Sequence, residues 1–439
     1  MSLCVTYKET PILPVRFSDY ISCEVTPKNV GYGLPNIVSA KGEYLKSVTY
    51  DDIDYAFARN YFSKKASSAQ PIGCSAVRKG NWFGRNLDWI YGEQLDYIVT
   101  TSEKNGRYAT LGIASMSALT KNDHALSEHL DDYKILPCYL QDGINSRGVV
   151  ACTNVVPTDY GFNDGIPLVS QSDTISAVML VRYILDNFNT AQGAVEYIRD
   201  YVKVYMPETL RGMGYEMHYM VADADNTYIL EFVNNRAQII DISSDEVLAD
   251  RAYMTNFYMY GVTLNNDGTV YTPETMDSTH SACATNGITQ YGSGLERYNL
   301  IANVYSTIET ADDVVDIMKD LYYTKSYASA PTVSDPYWFT EFVGGDITVD
   351  TPSDSEEFTQ RVGEYADKFT RRSRDSKDNA TWQTVHSSVY DIKNKSLMVS
   401  TQEGETYYTI PSLYETDIIL SNELPKGEVL LTSKTEAVI

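Results

Sequence analysis

The 439-residue sequence is short of several things that would narrow its function at once. Its six cysteines (Cys4, Cys23, Cys74, Cys138, Cys152 and Cys283) form no CxxC pair and are too sparse for a disulfide scaffold. Free thiols in a reducing compartment are expected. No apolar run approaches the ~18–20 residues of a membrane-spanning helix. The N-terminal "MSLCVTYKETPILP" has no basic stretch followed by an apolar one, so no signal peptide is read and a cytoplasmic location is expected. Basic residues are outnumbered, 35 Lys and Arg against 59 Asp and Glu, for a formal net charge of -24. That balance argues against nucleic acid and anionic membranes as partners, since phosphate backbones and headgroups need basic patches.

Histidine is scarce as well, with five copies at His124, His129, His218, His280 and His386. "HALSEH" sets two of them five apart, not the four that would align ligands on a helix face, so a solvated loop is the better reading. "NNDGT" (265–269) lacks the alternating carboxylates of a calcium loop and reads as a turn. "GSG" (292–294) reads as a plain helix start rather than an anion cradle. No metal or cofactor is implied. No GxSxG elbow announces a serine nucleophile, and nothing selects one histidine as a partner for a cysteine.

What the chain does have is apolar mass. Hydrophobic residues make up 43%, with 36 tyrosines against 12 phenylalanines. A sizeable core is expected, with amphipathic rings suited to half-buried sheet faces. The pattern predicts a helix over 49–66, started by Thr49. Short strands follow over 73–78, 81–88, 95–101, 107–113 and 147–156, the last after the turn "DGINS". A helical block over 170–189, capped by Ser172 or Asp173, and a second over 190–205 come next. Strands return over 217–224, 227–235 and 237–242, then helices near 292–306 and 310–322. The region 332–380 reads as part helix and part loop, and the last stretch as strands. This order lacks regular strand–helix alternation. It suits two antiparallel sheets with helices packed outside them.

One stretch stands out, "IGCSAVRKGNWFGRNLDW" (72–89). A buried cysteine is most often just a small hydrophobe. Here, however, 74–79 and 82–88 read as a hairpin turned by "RKGN", which would bring Arg85 and Asp88 near the end where Cys74 begins. A cation lowers a thiol pKa and raises the thiolate fraction. A carboxylate can hold an ammonium. Those neighbours suit a cysteine whose own α-amino group, titrating near 8, serves as its base.

"CSAVRKGNWFGRNLDW" resembles the opening of the choloylglycine hydrolase family of N-terminal nucleophile hydrolases, which includes bile salt hydrolases and penicillin V acylases. Isopenicillin N acyltransferase-like and acid-ceramidase-like proteins are its relatives. The resemblance continues in order through "DGINSRGVVACTNVV" (142–156), "MHYMVADADNTYILEF" (217–232), "AYMTNFY" (252–258), "GSGLERYN" (292–299) and "WQTVHSSVYDIKNKSL" (382–397), so it spans residues 72–410. It implies an α+β fold, a four-layer αββα sandwich of two antiparallel sheets. It implies Cys74 as nucleophile with its freed amine as base, and Arg85 and Asp88 orienting both. Asn154 (backbone N–H) and Asn256 (side chain) would form the oxyanion hole, and Arg297 would buttress the cluster. The implied reaction is hydrolysis of linear, non-peptide C–N amides through an acyl-cysteine. The substrate would be a small molecule with an apolar acyl group, of bile-salt, penicillin V or N-acyl-amide type. A homo-oligomer is the expected assembly. Alternatives are an acyltransferase, and a catalytically silent or binding protein whose leader occludes the site.

Two departures are visible. Arg85 follows Cys74 by only eleven residues, so the first hairpin is tighter than in bile salt hydrolases. A 73-residue leader precedes the cysteine, as in the relatives that cut themselves at the nucleophile. Residues 1–73 are therefore expected to be a pro-segment cleaved at Gly73–Cys74, with residues 74–439 as the catalytic domain.

Overall fold

The computed structural model describes, with short gaps, residues 36–64, 73–115, 130–157, 174–207, 215–268, 282–326 and 381–409. The predicted features at 124–129, 172–173, 292–294 and 332–380 lie outside them.

Two sheets carry the structure. The first has nine strands: β1 (Asn36–Lys41), β2 (Leu45–Tyr50), β5 (Asp96–Thr101), β6 (Thr110–Ser115), β7 (Asp142–Asn145), β8 (Val150–Pro157), β11 (Tyr215–Ala222), β12 (Thr227–Val233) and β13 (Arg236–Asp241), paired in that order. Every pairing is antiparallel except β2 with β5. The second runs β14 (Tyr253–Met254), β3 (Gly73–Lys79), β4 (Trp82–Tyr91), β18 (Thr381–Asp391), β19 (Ser396–Thr401) and β20 (Gly404–Thr409), with β17 (Thr324–Ser326) also on β18. Two small pairs complete the set, β9 (Thr174–Ser176) with β10 (Lys203–Tyr205), and β15 (Ala282–Thr285) with β16 (Ile288–Tyr291).

Six α-helices are described: α1 (Tyr55–Lys64), α2 (Leu130–Ile135), α3 (Leu180–Asn187), α4 (Ala191–Tyr201), α5 (Leu295–Val304) and α6 (Ala311–Asp320). Helices α3 and α4 cover the outer face of the first sheet, where Leu180, Ile184, Val195 and Ile198 meet Tyr97, Ala151, Tyr219 and Leu230. Helices α5 and α6 cover the outer face of the second. Between the sheets Ile98, Leu111, Val150 and Met220 face Ala76, Phe83 and Tyr390. The result is the expected four-layer αββα sandwich.

Local chemistry explains several boundaries. Gly80, at φ +57°, turns the β3–β4 hairpin in a left-handed conformation that suits glycine. Thr190 caps α4 by accepting from the Gly193 N–H at 3.1 Å. Thr310 caps α6, and the Asp313 carboxylate accepts from the Glu309 and Thr310 N–H groups in return.

Three elements differ from their predicted extents. The first helix starts at Tyr55 rather than Thr49, because Leu45–Tyr50 pairs with β5. Within the predicted helical block, Thr174–Ser176 is instead strand β9, and its partner Lys203–Tyr205 lies where the pattern predicts the end of a helix. In both cases sheet pairing overrides local propensity. "DGIN" is a strand, not a turn; the turn comes at Ser146–Gly148, where the Asn145 side chain accepts from the Arg147 and Val149 N–H groups.

The described residues ahead of Cys74 are built into the domain. Strands β1 and β2 extend the first sheet, and Tyr50, Ile53, Tyr55, Ala58 and Phe62 are buried in its outer core. The Tyr55 hydroxyl donates to Asp186, which also pairs with the buried Arg182 at 3.0 Å. No helix among the described residues is long and apolar enough to cross a membrane.

Candidate active site

The expected hairpin forms. Gly73 pairs with Asp88, Cys74 with Leu87 and Ala76 with Arg85. Side chains alternate along a strand, so Cys74, Ala76, Arg85 and Leu87 share the face toward the first sheet. Ser75, Asn86 and Asp88 point to the helices outside. Gly84 lies on that outer face, where a Cβ would meet Val314 at 2.6 Å. The absent side chain lets α6 sit directly on β4.

On the inner face the Arg85 guanidinium lies beside the thiol. Its Nη2 is 3.6 Å from Cys74 Sγ and donates to the Thr153 carbonyl at 2.8 Å, while Nη1 pairs with Asp142 at 3.0 Å. Cys74 and Arg85 are both fully enclosed. The Cys74 N–H donates to Asn256 Oδ1 at 2.7 Å, and the same oxygen accepts from Arg297 Nη2 at 2.7 Å. Asn256 Nδ2 donates to the Val155 carbonyl at 2.8 Å.

On the outer face Arg297, from α5, joins the cluster. Its Nη1 donates to Ser75 Oγ at 2.8 Å and Asp88 Oδ2 at 3.2 Å, and Thr384 donates to the other Asp88 oxygen at 2.7 Å. Asn154 lies on β8 and donates through Nδ2 to the Thr255 carbonyl at 3.1 Å, next to Asn256. All six residues singled out in the sequence are therefore gathered in one buried, hydrogen-bonded cluster. It draws on β3, β4, β8, the stretch after β14, and α5.

The electrostatics pull in opposite directions. Burial pushes the Cys74 thiol up, against the lowering pull of Arg85 and Arg297. Burial also lifts the Asp88 carboxyl to about 6, although Arg297, the Thr384 hydrogen bond and Arg85 oppose the rise. Asp142 stays below the usual carboxylate range despite burial, held there by His386, Arg85 and Tyr390.

Several residues of this cluster were not singled out from sequence. Asp142 was read as part of a turn, Thr384 and His386 only as part of a strand, and Ser75 as a hairpin residue. His218 and Glu231 were passed over too. They pair at 2.9 Å, His218 Nε2 lies 2.9 Å from the Thr255 carbonyl, and Glu231 accepts from the Met259 and Tyr260 N–H groups. Together they fix the stretch that carries Asn256. A signal was available: Asp142, His218, Glu231 and His386 occupy inward positions of strands, where apolar residues are the rule.

The family model for acyl-coenzyme A:6-aminopenicillanic acid acyl-transferase matches residues 131–339. Similar solved structures include a mutant of the conjugated bile acid hydrolase from Clostridium perfringens. It is 12% identical, covers 82% of this chain and 99% of its own, and has a TM-score of 0.37. Another is penicillin V acylase from Agrobacterium tumefaciens, 13% identical over 77% of this chain and 86% of its own, with a TM-score of 0.35. No curated protein matches the sequence.

Proposed function

We propose that this chain is an N-terminal nucleophile amidase that cleaves linear, non-peptide C–N amides through Cys74 once the Gly73–Cys74 bond has been cut. The observation that carries the reading is the placement of the Cys74 sulfur against Arg85 Nη2 and of its nitrogen against Asn256 Oδ1. Both reactive atoms of one residue are held by separate partners.

In the cut, the Cys74 thiol attacks the Gly73 carbonyl, the C–N bond breaks, and the acyl group moves from nitrogen to sulfur. Water then opens the thioester, leaving a Gly73 carboxylate and a free Cys74 amine. That amine takes the thiol proton as the sulfur attacks the substrate carbonyl. Arg85 favours the thiolate. Asn256 Oδ1 holds the amine, and Asp88, tied to Arg297 and Thr384, supplies the negative charge that steadies it as an ammonium. The oxyanion is met by the Asn154 backbone N–H and by Asn256 Nδ2, which exchanges the Val155 carbonyl for it. The departing amine takes the proton back, and water resolves the acyl-cysteine. The substrate pairs an apolar acyl group with a small polar amine, as in bile salts, penicillin V or N-acyl amides.

Acyl transfer is the second reading, favoured by the description of the matched family model. The two part at the last step, where an amine replaces water. One acyl donor, incubated with and without an acceptor amine, separates them. Free acid in both samples supports hydrolysis. A new amide that displaces the acid supports transfer. No turnover of bile-salt, penicillin V or N-acyl-amide substrates by fully cleaved protein would overturn both.

A further inference from the structure

Behind Arg85, on the side away from the thiol, a line of buried charges runs from one sheet to the other. Asp142 Oδ2 accepts from Arg85 Nη1 at 3.0 Å and lies 3.3 Å from His386 Nε2. The other Asp142 oxygen accepts from the Tyr390 hydroxyl. His386 Nδ1 lies 2.6 Å from Asp96 Oδ2. Asp96 and Asp142 come from the first sheet, and Arg85, His386 and Tyr390 from the second. All five are buried.

A neutral imidazole offers one donor and one acceptor. Here each ring nitrogen faces a carboxylate oxygen, and an ionised carboxylate only accepts. Both contacts are satisfied when His386 carries two protons. Burial works against that charge, but Asp96 and Asp142 outweigh it and raise the pKa of His386. Asp88, across the sheet on β4, lies within electrostatic reach of the same ring, and Arg85 faces it through Asp142.

The protonation of His386 matters for the sulfur. Asp96, Asp142, His386 and Arg85 sum to zero charge when the ring is an imidazolium. When it is neutral, they sum to minus one, and the excess sits behind the guanidinium that should attract a thiolate. An imidazolium also holds Asp142 from the far side and so fixes Arg85 Nη1, leaving Nη2 aimed at the sulfur. We propose that His386 is a positioning residue for the nucleophile. As an imidazolium it shares Asp142 with Arg85, so that Arg85 keeps its attraction for the Cys74 thiolate. The inference rests on the reading of Cys74 as the reactive thiol.

The test is a thiol titration that needs no substrate. Thiolate absorbance near 240 nm, as the difference between the full chain and its Cys74→Ser variant, gives the ionisation midpoint of this one sulfur. His386→Gln keeps a donor but cannot carry charge. It should move the midpoint up by about one pH unit, leaving roughly tenfold less thiolate at neutral pH. A midpoint that does not move overturns the proposal.

A second measurement covers a variant that fails to fold. Nitrogen-15 spectra of the histidine-labelled chain should show His386 protonated on both ring nitrogens at neutral pH, where an ordinary histidine is mostly neutral. Its signals are assigned by Tyr390→Phe, which removes only the hydroxyl on Asp142. A neutral ring there overturns the proposal. The two readings fail differently. If Cys74 is not the nucleophile, amidase activity is absent while the midpoint still answers to His386→Gln. If His386 has no such role, activity is present and the midpoint stays fixed.

Discussion

Asp88 is the residue whose charge state can be followed most directly. Its carboxyl, lifted to about 6 by burial, is ionised at neutral pH and protonated in mild acid. A neutral Asp88 no longer pairs with Arg297 as an ion and no longer steadies an ammonium on Cys74. Amide turnover should therefore fall as pH drops through about 6, and a kcat/KM profile would show that acidic limb. For stability the sign is reversed. The folded chain holds this proton more tightly than the unfolded chain, whose carboxyl titrates near 3.9. Between those values stability falls as pH rises, because the charge must be carried in a buried site. A urea-denaturation series across that window would detect the slope, once the contribution of other carboxylates is removed with Asp88→Asn. The site thus keeps a charge that costs stability where the reaction needs it.

Among the elements, the contact of α6 with β4 and the packing of α1 carry the clearest consequences. Gly84→Val would drive a side chain into Val314 and Met318, with a Cβ contact at 2.6 Å before any branch is added. A loss of about 1–3 kcal/mol in a urea unfolding curve is expected. Activity should drop too, since Arg85 is the next residue. For α1, Tyr55 is anchored on the buried Asp186–Arg182 pair. After cutting at Gly73–Cys74 the N-terminal piece should stay bound, co-eluting with the larger piece on native gel filtration and parting from it in urea. Tyr55→Phe should lower the unfolding free energy by roughly 1–2 kcal/mol. Elution of the N-terminal piece on its own in native buffer would contradict this account. The element boundaries were legible where alternation and caps act locally, as in the β3–β4 hairpin and at Thr190. They were not legible where a partner far along the chain decides. Leu45–Tyr50 becomes a strand only because Asp96–Thr101 lies beside it, and Thr174–Ser176 only because Lys203–Tyr205 does.

For the whole molecule, two sheets bring together residues as far apart as Cys74, Asn256, Arg297 and Thr384. Their order along the chain was legible by resemblance, because each sits in a quotable segment. The charges that support them were not. Asp96, Asp142 and His386 belong to three strands on two sheets, and nothing in their spacing announces that they meet. Only their polar character at inward strand positions hinted at it. The central claim concerns one sulfur and one amine on the same residue. The direct measurement is peptide mapping by mass spectrometry after the purified protein has been incubated with an electrophilic acyl probe. The account predicts the label on a peptide that begins at Cys74 with a free α-amine, and its loss in Cys74→Ala. Turnover and labelling by a chain in which Cys74 remains joined to Gly73, or a label on any other residue, would contradict it.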